Sequence, residues 1–170
     1  MTAVKIELEL DGRQDAGAMV GRALAQVRDL SNLLRPSVLD DLGLAPALRV
    51  LAEDFAARTR IAVHLDLEGA GRRLAPEVEV VLYRVVQEAL TNVAKHAGAA
   101  QARVRVASDE RAVVLAIEDD GRGAADDAQP QMGWLGMRER VAALGGRLTI
   151  GPGRNGGVSI HADIPIGEQA

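Results

Sequence analysis

The run "ARVRVASDERAVVLAIEDDGRG", Ala102 to Gly123, alternates apolar and polar residues twice over, with a polar turn between the two runs. A period of two sends alternate side chains to opposite faces of a strand, and two such runs joined by a short turn predict a hairpin. One face of that hairpin is apolar and must be covered. "RLTIGPGRNGGVSIHADIPI" repeats the pattern as a final hairpin, and "RIAVHLDLEG" predicts another strand over Ile61 to Leu67. From residue 61 onward strands outnumber helices. Hairpins joined in this way predict a mixed, mostly antiparallel sheet with helices on one face, an α+β two-layer sandwich.

The cover is legible as well. A helix is expected from about Pro76 to His96, and at about 100° per residue it has two unlike stripes. Leu82, Val86, Ala89, Leu90 and Val93 fall on one, while Arg84, Glu88, Thr91, Asn92 and Lys95 fall on the other. "GMRERVAALGG" predicts a short helix closed by glycines. Upstream, Val20, Ala23, Leu24, Val27, Leu30 and Leu34 form a narrow helical seam of the kind that meets other helices. Pro36 ends it, a short elbow follows, and a second helix is expected from near Ala45 to Thr59. The first residues suit either element, since Val4, Ile6, Leu8 and Leu10 alternate like a strand while Ala3, Ile6 and Leu10 suit a helical face.

At 170 residues the chain is long enough for one domain with a core and a helical appendage. Its lack of cysteine removes disulfides and thiolate chemistry and suits a reducing compartment, so the cytoplasm is expected. No run approaches the roughly 20 apolar residues of a membrane span, so no membrane contact is expected of this chain. A net charge of -4 with interleaved signs and only one each of Phe, Tyr and Trp argues against nucleic acid as a partner.

"GPGRNG" has the spacing of a dinucleotide fingerprint, but the alternating residues after it make it a hairpin turn. His64, His96 and His161 show no metal-ligand spacing. Three other features carry chemistry together. Glu88 and Asn92 stand one helical turn apart; an amide oxygen is a hard, neutral ligand suited to Mg²⁺, and a carboxylate beside it can serve as general base. Lys95 and Arg84 on the same stripe can neutralise phosphate oxygens. Asp119, at the end of a strand before Gly121 and Gly123, can accept a hydrogen bond from an exocyclic amine such as that of adenine. Gly133 and Gly136 precede a helix whose free N–H groups can receive anionic oxygens. Taken singly, these features equally describe a solvated helix face, an acidic turn and an ordinary helix start.

In that order, "YRVVQEALTNVAKHA", "EDDGRG" and "LGMRERVAALGG" resemble the N box and glycine boxes of the GHKL (Bergerat-fold) ATPases, in the version found in sensor histidine kinases. "LRPSVLDDLGLAPAL" resembles the second helix of the dimerisation and phosphoacceptor domain in the NarL/DesK-type subfamily. The resemblance implies ATP and Mg²⁺ as cofactors, Glu88 as the activating carboxylate, Asn92 as the metal ligand, and Lys95 and His96 near the phosphates. It implies Asp119 at the adenine amine and Gly121 and Gly123 shaping the adenine pocket. Ala124 to Leu135 would be a lid, ending at Gly136 before a helix that starts near Met137, and Gly133, Leu135, Gly136 and Met137 would belong to the nucleotide-binding residues. Trp134 and Val158 depart from the family pattern, which usually has leucine and often threonine there.

The resemblance further implies residues 1–60 as partial dimerisation helices and 61–170 as the ATP-binding catalytic domain. Thr2 to Leu10 would be the tail of the first dimerisation helix, with the acceptor histidine upstream of the chain. The expected activity is transfer of the γ-phosphoryl group to a histidine of the dimerisation domain. The expected partners are a second copy in the parent protein and a response regulator of the LuxR/NarL type. A non-catalytic nucleotide-binding or dimerisation module, and another GHKL enzyme such as an anti-sigma-factor serine kinase, are the alternatives.

Overall fold

The computed structural model describes residues 37–68, 73–123, 132–154 and 156–166. The expected elements over Thr2 to Leu10 and Val20 to Leu34, the turn at Gly69 and Gly71, and positions 124–131 of the expected lid lie outside these residues.

Five strands form one sheet in the order β1-β2-β3-β5-β4. They are β1 (Ala62–Asp66), β2 (Gln101–Ser108), β3 (Ala112–Asp119), β4 (Arg147–Pro152) and β5 (Val158–Pro165). β1 runs parallel to β2, and every other pairing is antiparallel, including the two expected hairpins β2–β3 and β4–β5. Alternation decides the faces. Ala102, Val104 and Val106 of β2 and Val113, Leu115 and Ile117 of β3 are buried, while Arg103, Arg105 and His161 face outward and are exposed.

The helices are α1 (Ser37–Leu42), α2 (Leu44–Thr59), α3 (Pro76–Asn92) and α4 (Met132–Ala142). Pro76 opens α3, where its missing N–H costs nothing, and Glu77 and Glu79 complement the positive end of the helix dipole. The apolar stripe of α3 faces the sheet: Leu82, Val86, Ala89, Leu90 and Val93 are all buried. Fully burying a leucine such as Leu82 contributes roughly 1.5–3 kcal/mol.

Two expectations need correction. The elbow after Pro36 is a six-residue helix, α1, closed at Gly43, whose φ of 86° a side chain would resist. Residues Val38 to Ala170 form one compact unit. The cause is packing: Leu39, Leu44, Leu48 and Phe55 join the same core as the sheet, and α2 lies against α3 and β1. The last helix begins at Met132 instead of near Met137. Trp134, Met137 and Val141 recur at helical spacing and pack on the core, and that stripe outweighs the helix-weakening glycines at 133 and 136.

Candidate functional site

β3 places the carboxylate. Asp119 has the same parity as Val113, Leu115 and Ile117, so it continues their inward row and is only 8% exposed. A buried carboxylate needs partners, and this one has two from backbone. Its Oδ1 accepts the N–H of Gly121 at 2.9 Å, and its Oδ2 accepts the N–H of Val158 at 3.1 Å. An ionised carboxylate has about four lone-pair sites, so it keeps acceptor capacity for an amine.

The glycines of the β4–β5 loop back this residue. A Cβ on Gly157 would overlap the carbonyl and carboxylate oxygens of Asp119, and its φ of 64° also excludes most side chains. The N–H of Gly153 bonds the carbonyl of Gly157 at 3.1 Å, closing the loop. A Cβ on Gly156 would stand 3.0 Å from the carbonyl oxygen of Gly121. The "GPGRNGG" loop therefore does more than turn the chain: Gly157, to which sequence reasoning assigned no part, backs Asp119, and Val158, noted there only as a departure from the family pattern, donates to it. No local pattern marks that approach, because it is between segments far apart in the chain.

α3 supplies the facing wall. Glu88, Thr91 and Asn92 are half-buried on its polar stripe, and Thr91 Oγ1 donates to the Gln87 carbonyl at 2.8 Å. Asn92 Nδ2 is buried with no hydrogen-bond partner among the described residues, a rare condition for a buried polar group. After Asn92 the helix widens into one π-helical turn, Val93–Ala97, which ends at Gly98 with φ 59°. Lys95 and His96 stand on that turn and are exposed.

The loop after β3 is fastened to the end of this turn. Asp120 Oδ1 accepts the N–H groups of Ala100 at 2.9 Å and Gln101 at 3.0 Å. The Gln101 bond in particular holds the Asp120 carboxyl below the usual carboxylate range. A Cβ on Gly121 would stand 2.5 Å from the Ala97 carbonyl oxygen, so only glycine allows this approach. Arg122 donates its backbone N–H to the Ala97 carbonyl at 3.0 Å and its Nε–H to the His96 carbonyl at 2.9 Å. Gly123, at φ 77°, lies against Gly157.

At the other end of the stripe, Glu88 meets α4. Its Oε1 occupies the place a Cβ on Gly133 would take, and its Cδ is 3.1 Å from that point. The first turn of α4, Met132 to Leu135, is where a helix has N–H groups without intrahelical partners. Gly133 and Leu135 thus sit in that turn, and Leu135 is exposed. The lid expected to end at Gly136 is already helix from Met132, so Gly136 and Met137 lie past the helix start. Gly136 faces the Arg140 guanidinium, with 3.4 Å between its Cβ position and the nearer nitrogen, and Met137 is wholly in the core.

The polar stripe therefore runs from the α4 start at Glu88 to the β3 loop at Ala97, on the order of 14 Å at the rise of an α-helix. The residues present fit a metal-bound nucleotide on one observation above all: the Asn92 amide has an end with no partner among the described residues, and turning the amide presents its oxygen there.

Residues 77–168 match the family described as histidine kinase-, DNA gyrase B-, and HSP90-like ATPase. A signal transduction histidine-protein kinase/phosphatase, DegS of Brevibacillus brevis, is 38% identical over 155 residues, 90% of this chain and 40% of its own length. The kinase/phosphatase UhpB of Salmonella typhimurium is 44% identical over 126 residues, 73% of this chain and 25% of its own. The chain thus spans two fifths or less of these relatives. The ATP binding domain of PrrB from Mycobacterium tuberculosis superposes with a TM-score of 0.59 at 22% identity, over 72% of this chain and 93% of that one, which supports the fold.

Proposed function

This chain belongs to the histidine kinase-, DNA gyrase B- and HSP90-like ATPase family, and from that premise we propose that it binds Mg²⁺-ATP and, within its parent protein, passes the γ-phosphoryl group to a histidine of a dimerisation helix. The observation that carries this reading is the pairing of Asp119, buried and fixed by two backbone N–H groups, with Asn92, whose Nδ2 has no partner among the described residues, on the helix joined to the same loop.

Asp119 accepts a hydrogen bond from the adenine amine, and Gly121 and Gly123 leave room for the ring. Asn92 offers its amide oxygen to Mg²⁺; the ion, when bound, neutralises charge on the phosphate oxygens. Lys95 and His96, exposed on the turn after Asn92, would meet the triphosphate, and the first turn of α4, with Gly133 and Leu135, would offer N–H groups to anionic oxygens. Glu88 orients the acceptor imidazole and takes its proton as the N–P bond forms and the bond from the γ-phosphorus to the bridging oxygen breaks, releasing ADP.

In the parent protein, residues up to about 60 would belong to the dimerisation region, and the phosphohistidine would pass its phosphoryl group to a response regulator of the LuxR/NarL type. The similarity to sensor kinases over most of this chain supports that role. Incubation of the chain with labelled ATP and a separate helix bearing the acceptor histidine tests it. An acid-labile phosphohistidine on the helix is expected; bound nucleotide without transfer would identify a non-catalytic nucleotide-binding module instead.

A further inference from the structure

We propose that Arg122 is a positioning residue: it caps the end of the helix that carries Asn92, Lys95 and His96 and so ties the phosphate end of the site to the adenine end. This deepens the nucleotide reading and rests on it.

The last carbonyls of a helix lack intrahelical donors and carry the negative end of its dipole. Here those carbonyls belong to the π-helical turn, a widened ring where the ladder of bonds is weakest, and the turn stops at Gly98. Helices usually resolve this locally, with donors from the residues just past the end. In this chain two of the donors come from a residue 25 positions beyond Ala97. Arg122 gives its backbone N–H to Ala97 and its charged Nε–H to His96, the second being the stronger kind of bond. A cation at a helix C-terminus is favourable in itself.

Its neighbours make the joint stiff. Asp120 holds the N–H groups of Ala100 and Gln101, and Gly121 lies under Ala97 too closely for any side chain. Three consecutive residues after Asp119 therefore grip the segment from His96 to Gln101. Asp119 and Lys95 cannot shift independently, so adenine seated at one fixes where the triphosphate meets the other. Arg122 itself is exposed, and removing its side chain leaves the core untouched.

The test uses the whole chain, with Arg122→Ala compared with wild type. Without nucleotide, amide exchange at Lys95 to Gly98 is expected to rise about fivefold or more. Affinity for Mg²⁺-ATP, read by NMR titration, is expected to fall about three- to tenfold while affinity for adenosine stays within twofold, and Arg122→Lys is expected to fall between. Unchanged exchange would overturn the proposal even if ATP binding weakened, because the guanidinium would then act only as a charge near the phosphates. Unchanged ATP affinity, or equal loss for ATP and adenosine, would also overturn it. A wild-type chain that bound neither ligand would instead sink the nucleotide reading on which it rests.

Discussion

The Asp119 carboxylate is held at 3.1 Å by the backbone N–H of Val158, so the end of β3 and the start of β5 fix one oxygen while Gly121 fixes the other. The amine acceptor is thereby oriented before any ligand arrives, which lowers the cost of binding. Asp119→Asn keeps the size but replaces one acceptor by a donor that faces either the backbone N–H or the incoming amine. Loss of a hydrogen bond to a charged group costs roughly 1.5–3 kcal/mol, about tenfold or more in affinity. Titration of Mg²⁺-ATP followed by the emission of Trp134, in the first turn of α4, measures it.

Gly157→Ala is expected to damage fold and site together. Its φ of 64° costs a non-glycine residue about 1–2 kcal/mol before the overlap with Asp119 is counted. Urea unfolding should show a lower midpoint, and the surviving folded protein should bind nucleotide less well. An alanine that left both unchanged would remove the β4–β5 loop from the site.

Asn92→Ala should separate binding from stability. The side chain's Nδ2 has no hydrogen-bond partner among the described residues, so its removal strips none from them at that end of the amide, and the unfolding free energy should move by no more than about 0.5 kcal/mol. Affinity for ATP in the presence of Mg²⁺ should fall sharply. Calorimetry and urea titration on the same sample check the two halves.

Much of this was legible in the residues. The alternation of Ala102 to Asp119 specifies a hairpin, and the same parity that buries Ile117 buries Asp119. The stripes of α3 separate Leu82, Val86 and Ala89 from Glu88 and Asn92 because a helix has one period throughout. The start of α4 was harder, since glycines such as Gly133 and Gly136 weaken a helix interior while Trp134, Met137 and Val141 gain their stabilisation only from a core that the local sequence does not display. The role of Gly157 was out of reach for the same reason: its close neighbour Asp119 is distant in the chain, and only the β3–β5 pairing brings them together.

The Asp120 brace should depend on pH. Its folded carboxyl titrates below the unfolded value of about 3.9, so the stability it adds is fully present above that value and is lost as pH falls through the lower folded one. The stability difference between wild type and Asp120→Ala should be constant near neutral pH and shrink below about pH 4. Thermal unfolding across that range checks the sign; a difference that grew on acidification would contradict it.

Whether a nucleotide lies between the polar stripe of α3 and the loop after β3 is decided by mapping amide chemical-shift changes as Mg²⁺-ATP is added to the chain. The largest changes are expected at Asn92, Lys95, Gly121, Gly123 and Val158, saturating together with one affinity. Changes centred elsewhere, or a well-folded sample whose spectrum did not respond, would contradict it.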